Sequence, residues 1–351
     1  MLNKEEVLKI DSGQVYKVYE QWPTLAEDSM KIDVNMHSIK PSALVLSGMG
    51  GSGTSADVIC DILYDKADIP VYVIKGYHLP SFIDSNALII AISSSGNTEE
   101  TLSIFTEAHK KGLKIIGISS GGLLEKVCKD NNYMHLKIKE SVAPRYSLPS
   151  ILFAVLNVIS NIEGIEWLKE DAYKSINIMK EISNYISIDT DIKDNIAKQI
   201  AFYFKNSIPV TYTSPYCRSV GIRFKNSLNE NSKSFAITSD IIEASHNEIV
   251  AWINKDEFKP LFIKDVRDGE EIRTRFDIFK EIISTQHEFY ELPLFSKNAL
   301  ANLIGNLYLL DYTTLYLAVL RGIDPLPMEP IILLKERMKK LNYIRKMGVN
   351  I

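Results

Sequence analysis

Short apolar runs of strand length alternate with stretches of helical periodicity, and no other feature of this chain restricts its fold as much. Residues 43–46, 70–74 and 87–92 are apolar runs rich in β-branched residues and Leu, and 113–118 and 133–138 complete five predicted strands. Val58, Ile59, Ile62 and Leu63 share one face of a helix predicted over 52–64, and a second helix is predicted over 98–111. Strands alternating with helices form right-handed βαβ units. The resulting parallel sheet is covered on both faces, so its strands are apolar throughout rather than alternately apolar and polar.

Residues 13–30 form an amphipathic lead-in helix, and 148–206 show no strand pattern and predict two or three helices with a break at Gly164. The alternation then resumes, with strands at 208–213, 234–238, 261–266 and 288–292 and helices at 220–230, 243–252, 270–283 and 297–321. Asp324-Pro325-Leu326-Pro327 ends the long helix, and a last one begins near 331 and runs to 341. The predicted fold is α/β, with two flavodoxin-like three-layer αβα domains on parallel sheets plus bridging and C-terminal helices. The expected division is 1–160 for the first domain, 161–206 for a helical bridge, 207–323 for the second domain and 324–351 for a helical tail.

Composition narrows the function classes. A chain of 351 residues exceeds what one core usually serves. Its net charge of −4 leaves no basic footprint for nucleic acid and no polybasic run for an anionic membrane. Cys60, Cys128 and Cys217 are far apart and odd in number, with no CxxC, so neither a disulfide framework nor a clustered zinc site is expected and a reducing, cytoplasmic setting fits. The N-terminus lacks the apolar core of a signal peptide. Runs such as 151–156 fall short of the roughly 18 residues that span a bilayer. No HxH, HExxH or HxxE set suggests a metal.

Two loops carry the chemistry. After the first strand, Gly48-Met49-Gly50-Gly51-Ser52-Gly53 satisfies GxGxxG between a strand and a helix, the dinucleotide fingerprint in its usual context. Glycines and a helix N-terminus suit any phosphate ester, and a structural tight turn is the plain alternative. A dinucleotide also needs an acidic residue after the second strand for its ribose. Here that strand leads into Lys75-Gly76, so only an NADP reading survives, with Lys75 on the 2′-phosphate. After a later strand comes Ser93-Ser94-Ser95-Gly96-Asn97-Thr98, then Glu99 opening a helix. One such residue would cap a helix, and six exceed that need. Two polar loops at the carboxyl ends of strands in one sheet predict a phosphorylated small molecule at a switch point.

These residues resemble a known family. Gly50-Gly51-Ser52-Gly53 with Ser93–Thr98 is similar to a sugar isomerase, or phosphosugar-binding, domain. Pro144-Arg145-Tyr146-Ser147-Leu148-Pro149, Leu228-Asn229-Glu230-Asn231-Ser232-Lys233 and Ser245-His246-Asn247-Glu248-Ile249-Val250 follow in that order. Together they resemble the bifunctional phosphoglucose/phosphomannose isomerases of archaea and some bacteria, over nearly the whole chain through Gly322-Ile323-Asp324-Pro325. The resemblance implies that Gly51, Ser52, Ser93, Ser95 and Thr98 bind the sugar phosphate. It implies Glu230 as the base moving a proton between C1 and C2, His246 as the ring-opening group supplied by the partner subunit of a homodimer, and Arg145 as the enediolate stabiliser. A C-terminal lysine, best matched by Lys335 with Lys339 and Lys340 nearby, would face the ring oxygen. A threonine that makes room for the mannose epimer has only Thr313 and Thr314 as candidates. No cofactor and no metal are implied, and the substrates are small sugar phosphates.

The chemistry has an independent rationale. Aldose–ketose isomerisation needs a carboxylate that takes the C2 proton and returns it at C1, and partial burial would raise a Glu toward neutrality for that task. Glu230 beside two Asn, expected near the carboxyl ends of the strands, suits it; a solvated helix residue is the plain alternative. His titrates in the range that ring opening needs, and His246 lies in a polar cluster that His37, His78, His109, His135 and His287 lack. A fixed guanidinium between Pro144 and Tyr146 would lower the energy of an enediolate, unless it serves a structural ion pair. The competing readings are a non-catalytic phosphosugar sensor, an NADP-dependent oxidoreductase and an amidotransferase-type isomerase. A sensor usually carries a DNA-binding helix-turn-helix and the amidotransferase type an N-terminal glutaminase, neither of which is seen.

Overall fold

The computed structural model describes residues 2–254 and 257–339. The chain opens with α1 (Lys4–Ile10), α2 (Val15–Glu20) and α3 (Trp22–Met30). The single lead-in helix expected over 13–30 is therefore two helices, interrupted at Gln21, and α1 precedes them. Asn3 and Glu6 close a reciprocal capping box that starts α1. Then follow β1 (Leu44–Ser47), α4 (Gly50–Leu63), β2 (Val71–Ile74), β3 (Leu88–Ile92), α5 (Glu99–Lys110), β4 (Lys114–Ser119), α6 (Gly122–Asp130) and β5 (Met134–Lys137). Three helices succeed them, α7 (Leu148–Ile159), α8 (Leu168–Ile186) and α9 (Ile196–Tyr203). The alternation resumes with β6 (Ile208–Thr213), α10 (Arg218–Asn231), β7 (Ile237–Asp240), α11 (Ile241–Ala244), β8 (Phe258–Ile263), α12 (Glu270–Ser284) and β9 (Tyr290–Glu291), then α13 (Ala299–Leu320) and α14 (Glu329–Lys339).

Two compact units result, and they do not follow the contiguous division of the sequence. The first comprises Trp22–Ala172 and the segment from Met328; the second comprises Met1–Gln21 and Tyr173–Pro327.

In the first unit five parallel strands lie in the order β2-β1-β3-β4-β5, the flavodoxin-like arrangement expected. Leu44–Ser47 and Leu88–Ile92 are buried throughout, as strands covered on both faces must be. The order reverses between β1 and β3, whose register pairs Ser47 with Ala91. The chain therefore leaves both strands at nearly the same level and opens a crevice there. One core joins Val45, Ile89, Ala91, Leu102, Phe105, Ile115 and Leu124. The apolar α7 packs on α3, and Asn157 Nδ2 donates to the carbonyls of Ser29 (3.2 Å) and Ile32 (2.8 Å) to fix that contact.

In the second unit four parallel strands lie in the order β7-β6-β8-β9, with the reversal between β6 and β8. Two strands are displaced from expectation. β7 starts at Ile237 rather than 234, because Ser232 and Ser234 are spent closing the end of α10, where their amides donate to Leu228 O. β8 ends at Ile263 rather than 266, because the Asp265 amide turns to donate to Asp268 Oδ2 at 2.9 Å. The helix expected over 243–252 is α11 followed by a 3-10 turn, Glu248–Ile253, with Asn247 capping the second piece. α13 is long and apolar enough to cross a bilayer, unlike the runs judged from sequence, but here it is the core helix of its unit. It packs on α9 and α10 and is buried from Ala299 to Val319.

Candidate functional site

The crevice of the first unit is built by the loops after β1 and β3. The first loop runs into α4, whose opening residues are Gly50, Gly51 and Ser52, so the unpaired amides of a first helical turn face it. A Cβ on Gly53 would lie 2.8 Å from Gly48 O, so glycine lets the helix approach the strand end this closely. The buried Ser52 Oγ accepts from the Ser94 amide at 3.3 Å, joining the two loops.

The second loop turns from β3 into α5, with Thr98 at the N-cap. Ser93 Oγ and Thr98 Oγ1 share a hydrogen bond of 2.8 Å, and Ser95 is exposed at the rim. A third loop, after β4, braces it. The Ser120 amide and hydroxyl donate to Ser94 O, the Leu124 amide donates to Gly96 O, and the Leu123 amide donates to Asn97 Oδ1 at 3.1 Å. Ser119 and His135 Nε2, 2.8 Å apart, underlie that brace, and burial holds the His135 imidazole below its ordinary pKa. Asn97, Ser120 and Gly121-Gly122 support the loop and are not among the residues expected from sequence; the glycine pair shortly after β4 is the signal that points to them.

Arg145 joins the same place. It sits in a 3-10 turn, Pro144–Ser147, whose Pro144 O and Arg145 backbone lie within about 4 Å of where a Gly51 side chain would begin. Ser94 Oγ donates to Ser147 Oγ at 3.1 Å. The guanidinium is buried, lies 4.3 Å over the Tyr146 ring and places Nη1 2.8 Å from Met328 Sδ. Thus Gly51, Ser52, Ser93, Ser95 and Thr98 converge on one crevice of hydroxyls and helical amides, and the turn that carries Arg145 packs against it at Gly51. Lys335 lies exposed on α14 of this unit and makes no ion pair among the described residues; Lys340 lies outside them. Lys75, the one residue that kept the NADP reading alive, is instead paired with Asp57 at 2.5 Å behind the glycine loop. No group of three metal-ligating side chains occurs among the described residues.

Glu230 and His246 belong to the second unit. Glu230 is half-buried and penultimate in α10. It is not near the carboxyl ends of the strands as expected: α10 starts just after β6 and runs back antiparallel to it, so its last turn reaches the amino edge of the sheet. Lys233 Nζ donates to Glu230 O at 2.6 Å. His246 is exposed in the turn after α11, where its amide donates to Glu243 O at 2.9 Å. Thr313 and Thr314 are fully buried, and their hydroxyls donate within the unit to Leu309 O at 2.9 Å and Asp311 O at 2.7 Å.

Comparison with known proteins gives these positions a context. Residues 193–338 match the family model for the bacterial phospho-glucose isomerase C-terminal SIS domain. The chain is 31% identical over 336 residues to a bifunctional phosphoglucose/phosphomannose isomerase of Caldicellulosiruptor bescii, covering 93% of this chain and 98% of that one. It is 32% identical over 345 residues to the Aquifex aeolicus protein of the same name, covering 96% and 99%. Among solved structures, a glucose-6-phosphate isomerase like protein from Thermus thermophilus superposes with a TM-score of 0.63 at 16% identity, covering 92% of this chain and 94% of that one. At that identity the likeness concerns the fold.

Proposed function

The chain belongs to the bifunctional phosphoglucose/phosphomannose isomerase family, and from that premise we propose that it interconverts glucose 6-phosphate and mannose 6-phosphate with fructose 6-phosphate. The observation that carries this reading in the structure is the crevice of Ser52, Ser93, Ser95 and Thr98 between two helix N-termini, with the backbone of the Arg145 turn against Gly51. A phosphate held by hydroxyls and amides needs few formal cations, in keeping with a weakly acidic protein.

In this reading Glu230 takes the proton from C2 and returns it at C1 through an enediol. His246 exchanges protons with O1 and O5 to open the ring, and Lys335 faces the ring oxygen. Arg145 holds the negative charge of the enediolate. No metal takes part. The enzyme acts in the cytoplasm, at the entry of hexose phosphates to glycolysis. Among the described residues none of Cys60, Cys128 and Cys217 forms a disulfide, in keeping with a reducing compartment. It works as a homodimer, each copy supplying His246 to its partner. The segment around His246 supports this last point: Phe235, Val250 and Ile253 are 88%, 64% and 68% exposed, beside an edge strand that a soluble monomer would leave uncovered.

The test is to incubate the protein with each aldose phosphate in the presence of EDTA and to measure fructose 6-phosphate. Product from both sugars is expected. None from either would overturn the isomerase reading, and loss on chelation would overturn the metal-free one. A Glu230→Gln variant that still binds sugar phosphate should be inactive. Light scattering should give a dimer; a monomer removes the shared role of His246.

A further inference from the structure

α10 carries a stripe of three buried polar residues four apart, Arg223, Ser227 and Asn231, on the face turned to α13. Arg223 pairs with the fully buried Asp311, its Nη2 2.6 Å from Oδ2, and Ser227 Oγ donates to Oδ1 of the same carboxylate at 2.6 Å. Asp311 holds the Arg223 guanidinium well above its ordinary pKa despite burial. One turn on, Asn231 Nδ2 donates to Thr314 Oγ1 at 2.8 Å and to Tyr19 OH at 2.9 Å, and Thr314 Oγ1 donates to Asp311 O. The network is continuous and ends directly beside Glu230.

The amides of Ser232 and Ser234 and the Lys233 ammonium close backbone carbonyls at the end of α10, and the polar stripe is what holds that last turn against α13. Glu230 stands on that last turn. Apolar contacts tolerate slips of a few tenths of an ångström and small rotations; a pair of hydrogen bonds from one amide group does not. We infer that Asn231, held by Thr314 and Tyr19, is a positioning residue that fixes the last turn of α10 and with it the Glu230 carboxylate. The inference rests on the reading of Glu230 as the base. It also gives Thr314 a role in aim, in place of contact with the sugar.

The experiment compares Asn231→Leu, Thr314→Val and Thr314→Ser with Glu230→Gln, using glucose 6-phosphate. For Asn231→Leu and Thr314→Val, kcat should fall roughly 10- to 100-fold while KM stays within about twofold, the cost of an ångström-scale error in aim. The isotope effect with substrate deuterated at C2 should rise, because proton transfer by a displaced base becomes limiting. A purely structural role would lower the melting temperature without raising that isotope effect. Thr314→Ser, which keeps the hydroxyl, should restore kcat. If Glu230→Gln is inactive while Asn231→Leu and Thr314→Val keep kcat, the positioning role fails and the base reading stands. If Glu230→Gln turns over normally, the base reading itself fails. Should Asn231→Leu not fold, the Val–Ser pair at 314 decides.

Discussion

The two sheets pose the same topological invitation and answer it differently. In each, the strand order reverses once, and the two flanking strands release their loops at one level: β1 and β3 in the first unit, β6 and β8 in the second. In the first, the residues there are Gly50, Gly51, Ser52, Ser93, Ser95 and Thr98, short groups that leave room and offer donors. In the second, Ser214 Oγ bonds the buried Asp268 carboxylate, and Asp268 Oδ2 accepts from the Asp265 amide. Asp265 Oδ1 accepts from Arg267 Nε at 2.8 Å, and Arg267 Nη2 donates to Tyr216 O at 2.7 Å. There the polar groups bond one another, Asp265 with Arg267 and Asp268 with Ser214, and the Asp265 and Asp268 carboxylates line the adjoining cavity, where they would repel a phosphate. The backbone creates the crevice; side-chain charge and volume decide whether it is a site.

The sharpest way to break the comparison is to import the second chemistry into the first. Thr98→Asp keeps an effective N-cap for α5, so folding should survive, but it sets a carboxylate against the phosphate. A cost of several kcal/mol, about 100-fold or more in kcat/KM, is expected, with the melting temperature unchanged. A kcat/KM within threefold of normal would mean that the serine loop does not hold the phosphate. Next in size is Gly96→Ala. Its φ is +70° and its Cβ would fall 1.8 Å from Gly121 O, so the serine loop would be forced off its brace. We expect about 1–3 kcal/mol of lost stability and a raised KM, read by denaturant melts and steady-state kinetics. Smaller still, Asp268→Ala should cost about 1–3 kcal/mol through the unpaired Ser214 and Asp265 amide, while activity persists. Loss of activity at full stability would show that the second crevice is functional after all.

The smallest effect is one of pH. Burial holds the folded His135 below its ordinary pKa of 6.5, so as pH falls through that value the unfolded chain takes the proton first. His135 adds no slope above pH 6.5, and stability should decline below it, down to the folded pKa. Thermal melts of His135→Gln should show a shallower decline over that interval; an unchanged slope would count against the assignment.

The parallel sheet of the first unit was legible because Leu, Ile, Val and Ala dominate β1 and β3 and the interior of β4 is apolar, and both polar loops followed from what comes directly after β1 and β3. Short-range signals failed where a distant partner decides the local conformation. The start of β7 depends on Ser232 and Ser234 closing α10, and the end of β8 on Asp265 meeting Asp268. The edge of the sheet that Glu230 reaches depends on the direction of α10, which no residue near 230 announces. The buried pair Arg223–Asp311 was invisible for the same reason: 88 residues separate its members.

The interleaving of the two units has a consequence for how the protein is made. Tyr308 OH donates to Tyr19 O across 289 residues of sequence, and α1 and α2 both pack on α13. At about 5–20 residues per second, the ribosome needs roughly 15–60 s to deliver that partner. Helices as short as α1 and α2 have little stability alone in the interval. α1 and α2 must therefore wait, exposing Val7, Val15 and Tyr19, until α13 emerges. Completion of the second unit is thus tied to the synthesis of α13, and a chain cut short before it would leave both α1–α2 and the last turn of α10 without the helix that anchors them.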